Sequence, residues 1–330
     1  MKKIILSAIV FVGAMTLNAQ DEAPKLSISG TVDAYYQTYL TASDDVSGSF
    51  GTSFADEAGF ALGMANLVLS YDGEKTGVVA DLVYGPRGDS AAGDPAAGGY
   101  NLNQLYAYWN VSESTTLTAG RFNTYLGYEV ISPAGNFNYS TSYLFSNGPF
   151  SHVGLKADFA LSEDFSLMLA VMNPTDTNNN TTGDYGFGAQ LGYAGQYLNL
   201  YYDNDSVLGF EIDYTGGFDL SESFFLGING AYQVSDDAGF YGAALYPQLT
   251  TSDSFSIGLR GELFGLHAKD VDDLPSVFAT TLTGSYTVEN LTIKPEVRLD
   301  SWSDNEPYVD ADGVASESLA AFTIAAIYSF

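Results

Sequence analysis

From Lys25 onward the chain alternates between apolar and polar positions. Leu26, Ile28, Gly30, Val32, Ala34 and Tyr36 interleave with Lys25, Ser27, Ser29, Thr31, Asp33 and Tyr35. A period of two puts the first set on one face of a strand and the second on the other. The same pattern recurs at Ala65, Leu67, Leu69 and Tyr71, at Val78, Ala80, Leu82 and Tyr84, and at Leu105, Ala107, Trp109 and Val111. It continues to Phe322, Ile324, Ala326, Tyr328 and Phe330. Phe60, Leu62 and Met64 fall in the opposite parity to Ala65 and Leu67, which predicts a bulge or a late start in that strand. About 16 segments (roughly 14–18) follow, each able to supply the residues a tilted strand needs to cross a bilayer. An even count returns both ends to one side, as a closed barrel without free edges requires.

The connections alternate as well. Residues 72–75, 112–115, 162–164, 194–196 and 288–290 make tight turns, whereas 44–57, 85–99, 123–151, 174–184 and 301–316 make long loops. Short turns on one side and long loops on the other are how outer-membrane barrels are built. Residues 203–206 and 235–238 are short where a long loop is expected. A soluble β-sandwich or solenoid would also alternate, but it would need a second layer to cover its outer apolar face, and no sequence is left over to form one. The expected fold is therefore all-β, a transmembrane antiparallel β-barrel formed as one domain by residues 21–330, with a long loop folded into its lumen.

That loop is 123–151. It holds a single charge, Glu129, together with Tyr125, Tyr128, Phe137, Tyr139, Tyr143, Phe145 and Phe150. So aromatic and uncharged a connection does not suit bulk water, and a barrel wide enough to enclose it is the natural place for it.

The N-terminus adds the compartment. Lys2 and Lys3, the apolar run from Ile4 to Met15 and the small Ala19 form the pattern of a secretory signal peptide over 1–20, with cleavage near Gln20 or Asp21. No later apolar run is long enough for a transmembrane helix. With that segment removed, nine Lys plus Arg remain against 40 Asp plus Glu, a net charge of −31. Such a surface repels nucleic acid and attracts cations. The absence of Cys removes disulfides, thiol chemistry and Cys-type metal sites.

Charged residues inside the strands share the polar parity. Arg260 pairs with Glu262 on one face, and Lys294, Glu296, Arg298 and Asp300 alternate in sign along another. Asp33, Asp81, Lys156, Asp158, Glu211 and Asp213 lie opposite apolar sets elsewhere. Facing lipid, each would cost several kcal/mol, so all are expected to face a watery lumen. There they form either a neutralising ladder that keeps the lumen wet or a transverse field across a constriction. Arg121 shares its parity with Leu117 and Ala119, so a register change at Gly120, or the end of the membrane zone, is needed to bring it inward beside the loop. No enzyme is expected: His152 and His267 are the only histidines and there is no G-x-S-x-G. The acidic groups at 270–273 and 304–312 lack the spacing of a calcium loop, and no cofactor is implied.

Residues 102–159 resemble the β-barrel porins of the OmpL-like type from Gram-negative outer membranes. The resemblance rests on Gly120-Arg121-Phe122, Gly127-Tyr128-Glu129, Asn138-Tyr139-Ser140, Tyr143-Leu144-Phe145 and Gly148-Pro149-Phe150. It implies a porin in the outer membrane, surrounded by its lipid and passing small hydrophilic solutes or ions by passive diffusion. Terminal Phe330, in step with Tyr328 and Ile324, resembles the signal such barrels present to the barrel assembly machinery. The pore lining is then expected to include Arg121, Glu129, Asn138, Tyr139, Tyr143, Lys156, Asp158, Arg260, Glu262, Lys294, Glu296 and Arg298, with a mild cation preference. The competing expectation is a non-conducting surface barrel that binds a partner through its acidic outer loops.

Overall fold

The computed structural model describes residues 25–43, 49–92 and 100–330. The signal peptide expected at 1–20 lies outside the described residues, as do parts of the loops expected at 44–57 and 85–99. The first strands are β1 (Lys25–Tyr39), β2 (Gly59–Asp72), β3 (Thr76–Tyr84), β4 (Leu102–Ser112), β5 (Thr115–Asn123) and β6 (Ser151–Ala160). They continue as β7 (Phe165–Met172), β8 (Gly186–Tyr193), β9 (Gln196–Tyr202), β10 (Phe210–Asp219), β11 (Phe224–Ser235) and β12 (Ala238–Ser252). The chain ends with β13 (Phe255–Ala268), β14 (Ser276–Val288), β15 (Leu291–Ser303), β16 (Tyr308–Val309), β17 (Ala315–Ser316) and β18 (Ser318–Ser329). Two short helices lie in loops, α1 (Pro86–Ala92) and α2 (Tyr143–Asn147).

β1 to β15 and β18 form a closed antiparallel barrel of sixteen strands, and β16 with β17 makes a small hairpin in the last long loop. β1 pairs with β18 to close the seam. There Gly30 N–H donates to Phe330 C=O and Phe330 N–H to Gly30 C=O, both at 3.0 Å. The chain's last residue thus completes the ladder, leaving no edge to aggregate.

The two faces sort as the alternation predicts. On β1 Leu26, Ile28 and Val32 are exposed while Thr31, Asp33, Tyr35, Gln37 and Tyr39 are buried. Exposed rings mark two levels: Tyr71, Trp109, Phe165, Tyr193 and Tyr286 near the short turns, and Phe60, Tyr84, Phe187, Tyr202 and Phe278 near the long loops. Phe278 and Tyr286 are about 27 Å apart along β14 at the usual rise per residue. Two aromatic girdles flanking an apolar band are what a bilayer demands of a barrel exterior.

The parity conflict in β2 is a bulge. Pairing runs Val32 to Ala65 and then Ala34 to Leu62, so Phe60 and Leu62 return to the outer face, Phe60 being 92% exposed, while Met64 turns inward. Asp33 secures the bulge, its Oδ1 accepting from Met64 N–H at 2.9 Å. Gly63 is required beside it, since a Cβ there would stand 1.7 Å from Asp33 Oδ2. At Gly120 the pairing register with β4 and β6 is unbroken. The expected change of face does not occur either: Arg121 stays opposite the exposed Leu105 while Phe122 stays opposite the buried His152, and Arg121 is buried by its contacts with Asn103 and Asn178. The unexpectedly short link between β11 and β12 places Asp236 and Asp237 at φ 47° and 67°, the geometry of a two-residue hairpin turn.

Gly63→Ala is expected to destabilise the folded barrel by about 1–3 kcal/mol through overpacking against Asp33. Urea unfolding in lipid vesicles measures this, and an unchanged midpoint would mean that Asp33 moves aside freely.

Candidate functional site

Residues 123–151 leave β5 and return to β6 through a closed neck. Thr124 N–H donates to Phe150 C=O at 3.0 Å. Asp176, in the next loop, accepts from Phe150 N–H and Ser151 N–H at 3.0 and 2.8 Å. Between these ends the segment is irregular except for α2, so its backbone groups need partners from outside. The charged residues of the strands provide them.

Glu296 accepts from two consecutive amides, Tyr139 N–H at 2.8 Å and Ser140 N–H at 3.1 Å. Glu262 takes the next accessible pair, Tyr143 N–H at 2.9 Å and Leu144 N–H at 2.8 Å, the otherwise orphaned donors of the first turn of α2. Ser142 N–H between them is taken by Glu129 at 2.7 Å. Cations hold the carbonyls. Arg260 donates to Ser140 C=O at 2.7 Å and to Glu129 Oε1 at 2.7 Å. Arg298 donates to Thr141 C=O at 3.1 Å while gripping Asp300 through both oxygens at 2.8 and 2.7 Å. Lys294 donates to Pro133 C=O at 2.9 Å and to Asn136 C=O.

Side chains of the segment complete the seat. Asn138 Nδ2 donates to Thr283 at 2.7 Å, and Tyr139 OH donates to Asp33 at 2.6 Å. Tyr143 OH donates to Asp300 at 2.8 Å and lies 3.1 Å from Tyr308 OH. Opposite three rings the wall carries glycine: a Cβ at Gly188, Gly227 or Gly258 would come within 2.4, 2.2 and 2.5 Å of Tyr125, Tyr128 and Phe137. Tyr128 stacks on Tyr246 with centroids 4.3 Å apart.

The structure differs from the expectation of a watery ladder. Arg260, Glu262, Lys294, Glu296, Arg298 and Asp300 are all buried, Arg260 and Glu262 at 0% exposure. The reason is cover: the 129–144 backbone lies on them, with Thr52 and Phe50 against Arg298. Lys156 and Asp158 stand apart. They form a 2.7 Å ion pair at 25% and 40% side-chain exposure, near the short-turn end and bonded to nothing in 123–151. Arg121 is buried but not beside the loop; it donates to Asn103 C=O at 3.2 Å and Asn178 Oδ1 at 2.6 Å.

Sequence reasoning missed Arg87. Sitting on α1, it donates to Ile131 C=O at 2.7 Å and Tyr139 C=O at 3.3 Å, and its guanidinium lies 4.2 Å over Phe54. Nothing but its being the one cation of a Gly/Ala-rich loop marked it. Asp56, in the loop after β1, is another: burial pushes its carboxyl up to about 6 against the pull of Arg298, and its Oδ1 is buried without a hydrogen bond.

A closed sixteen-strand barrel, apolar outside and charged within, is the architecture of a bacterial outer-membrane pore protein. Residues 25–330 match the model of the family described as "Putative beta-barrel porin-2, OmpL-like", and the chain belongs to that family. Among solved structures it is similar to in-vitro folded OmpT of Vibrio cholerae in its trimer form, at 9% identity over 94% of this chain and 100% of that one, TM-score 0.55. It is also similar to a mutant of the Rh. blastica porin, at 14% identity over 93% of this chain and 100% of that one, TM-score 0.50. At such identities the likeness is one of fold. No curated protein matches the chain.

Glu262→Gln is expected to cost about 3 kcal/mol, because an amide sets a donor against one of two buried N–H groups. Asp158→Asn should cost less than about 1 kcal/mol, its ion pair being half exposed. Equal losses in urea unfolding would remove the distinction between the two groups. For Asp56 the sign follows from a raised folded-state pKa. The native state holds this proton more tightly than the unfolded chain, so the group's contribution falls as pH rises from about 4 through about 6. Asp56→Asn should therefore be less destabilised than wild type over that rise, and parallel pH profiles would contradict it.

Proposed function

We propose that the protein is a porin for small hydrophilic solutes and ions in which residues 123–151 occupy the lumen and narrow the path. The observation that carries this reading is the set of bonds from one segment to Asp33 on β1, Asp213 on β10, Glu262 on β13, Thr283 on β14 and Glu296 on β15. Strands so widely spread around a closed barrel share only its interior. The partly exposed Lys156 and Asp158 mark a wetter stretch of wall toward the short turns. A mild cation preference follows from the excess of acid, with Asp81, Glu211 and Asp213 in no ion pair within 4 Å among the described residues and the chain at −29 overall. Export through the 1–20 signal and recognition of Phe330 by the assembly machinery belong to the same reading.

A second reading has an observation of its own. The near-complete burial of Arg260, Glu262, Glu296 and Arg298 suits a barrel that stays shut and presents its acidic outer loops to a binding partner.

Planar-bilayer recording separates the two. A porin inserts in conducting steps, and under a KCl gradient its reversal potential has the sign of cation preference, weakening as salt screens the charges. Deleting 133–147 is expected to raise single-channel conductance. A folded barrel that inserts silently, before and after the deletion, would establish the closed reading.

A further inference from the structure

Charge on the inner wall is almost all buried, and the wall left exposed is neutral. Apart from Lys156 and Asp158, and from Lys25, Asp72 and Asp219 at the strand ends, the most exposed charged side chain that the described strands turn inward is Asp33, at 8%. Glu129, the one charge of the 123–151 segment, is buried and held by Arg260. The residues of that segment that stay exposed in whole or part are therefore uncharged, Tyr128, Val130, Ala134 and Phe137 among them. Lys156 and Asp158 cancel each other at 2.7 Å.

Toward the short turns the wall carries hydroxyls. Ser70, Thr116, Ser166, Ser256, Ser285 and Thr292 share the inward parity of β2, β5, β7, β13, β14 and β15, and all are partly exposed. A hydroxyl both donates and accepts, whereas a carboxylate only accepts and an ammonium only donates. Rings lie among them. Tyr108, Tyr197 and Phe225 are partly exposed, and each rests on a glycine of an adjacent strand: a Cβ at Gly77, Gly192 or Gly217 would come within 2.4, 3.0 and 2.1 Å of those rings in turn. A ring seated over a glycine lies along the backbone instead of projecting across the lumen, and its other face is left free.

We propose that the solute this lumen is built to pass is an uncharged, polyhydroxylated molecule of the sugar class. The inference deepens the porin reading and rests on it. A sugar ring has apolar C–H faces that pack on an aromatic face, and a rim of hydroxyls that exchange hydrogen bonds with a hydroxyl wall. It can shed water at successive heights without stranding a polar group. A charged solute of the same size finds no accessible counter-charge beside the segment and must keep its hydration shell there. An apolar solute gains from the rings but strands each hydroxyl that it covers. The net acidity of the chain then governs which ion enters, and the neutral wall governs which solute passes fastest.

The test is uptake of radiolabelled glucose, glucosamine and glucuronate into vesicles holding the refolded full chain, at a mildly acidic pH where the amine is protonated and the acid ionised. The three share one ring and differ in charge. Glucose is expected to enter several-fold faster than either analogue, with glucosamine ahead of glucuronate. In single-channel recording glucose should interrupt the ion current, and Tyr197→Ala and Phe225→Ala should each raise the glucose concentration needed several-fold. Ser256→Asp, which sets a carboxylate on the neutral wall, should lift glucosamine above glucose. Equal rates for the three solutes, or glucosamine fastest in wild type, in vesicles that conduct ions, would overturn the sugar class and leave the porin standing. Absence of both uptake and ion current would remove the porin, and this inference with it.

Discussion

A long irregular backbone must find a partner for each of its polar groups, and the charged residues of β13 to β15 are arranged around that requirement. Helices and closed sheets satisfy their own amides; residues 123–151 largely do not, beyond the turn of α2, the Thr124–Phe150 neck and a turn from Ser132 to Gly135. The solution here is charge. Glu296, Glu129 and Glu262 take the amides of Tyr139, Ser140, Ser142, Tyr143 and Leu144, and Arg87, Lys294, Arg260 and Arg298 take carbonyls of Ile131, Pro133, Ser140 and Thr141. A peptide unit presents both a donor and an acceptor, so a wall that alternates in sign can grip it wherever it lies. Bonds to charged groups are roughly twice as strong as neutral ones. They hold an irregular segment in one conformation where packing alone would not.

The same segment explains features of the strands that charge does not. Gly188, Gly227 and Gly258 are small where Tyr125, Tyr128 and Phe137 meet the wall. Rings and glycines therefore interlock, and the segment's position is specified by shape as well as by hydrogen bonds. Outside, the constraint is different and simpler: an apolar band between two aromatic levels, with a seam closed by the terminal residue itself. The two surfaces of each strand answer to separate solvents, lipid on one side and protein on the other.

Charge on the inner face consequently divides into three kinds. Around β13 to β15 it is consumed by the segment and buried, where removing one member leaves its partner stranded. At Lys156 and Asp158 it is paired but half exposed, and at Glu211 it is buried and unmatched. Family membership and the likeness to OmpT of Vibrio cholerae set the architecture; the distribution of charge is this chain's own.

The approximate strand count, the closed barrel and the bulge near Met64 were legible in the sequence, because lipid on one face imposes a period of two and makes every violation visible. The 123–151 connection stood out in the sequence for its aromatic, nearly uncharged texture, which has no place in water. What each charge is for was not legible. Tyr143 and Asp300 are 157 positions apart, Arg260 and Glu129 are 131 apart, and parity says which face a residue takes but nothing of its height or of what crosses above it. Arg121 turned on the residues that cover it, Asn103 and Asn178, and Arg87 on how a short helix packs. Whether a carboxylate meets water, an amide or nothing was decided only when the closed barrel brought distant strands and the segment within hydrogen-bond reach.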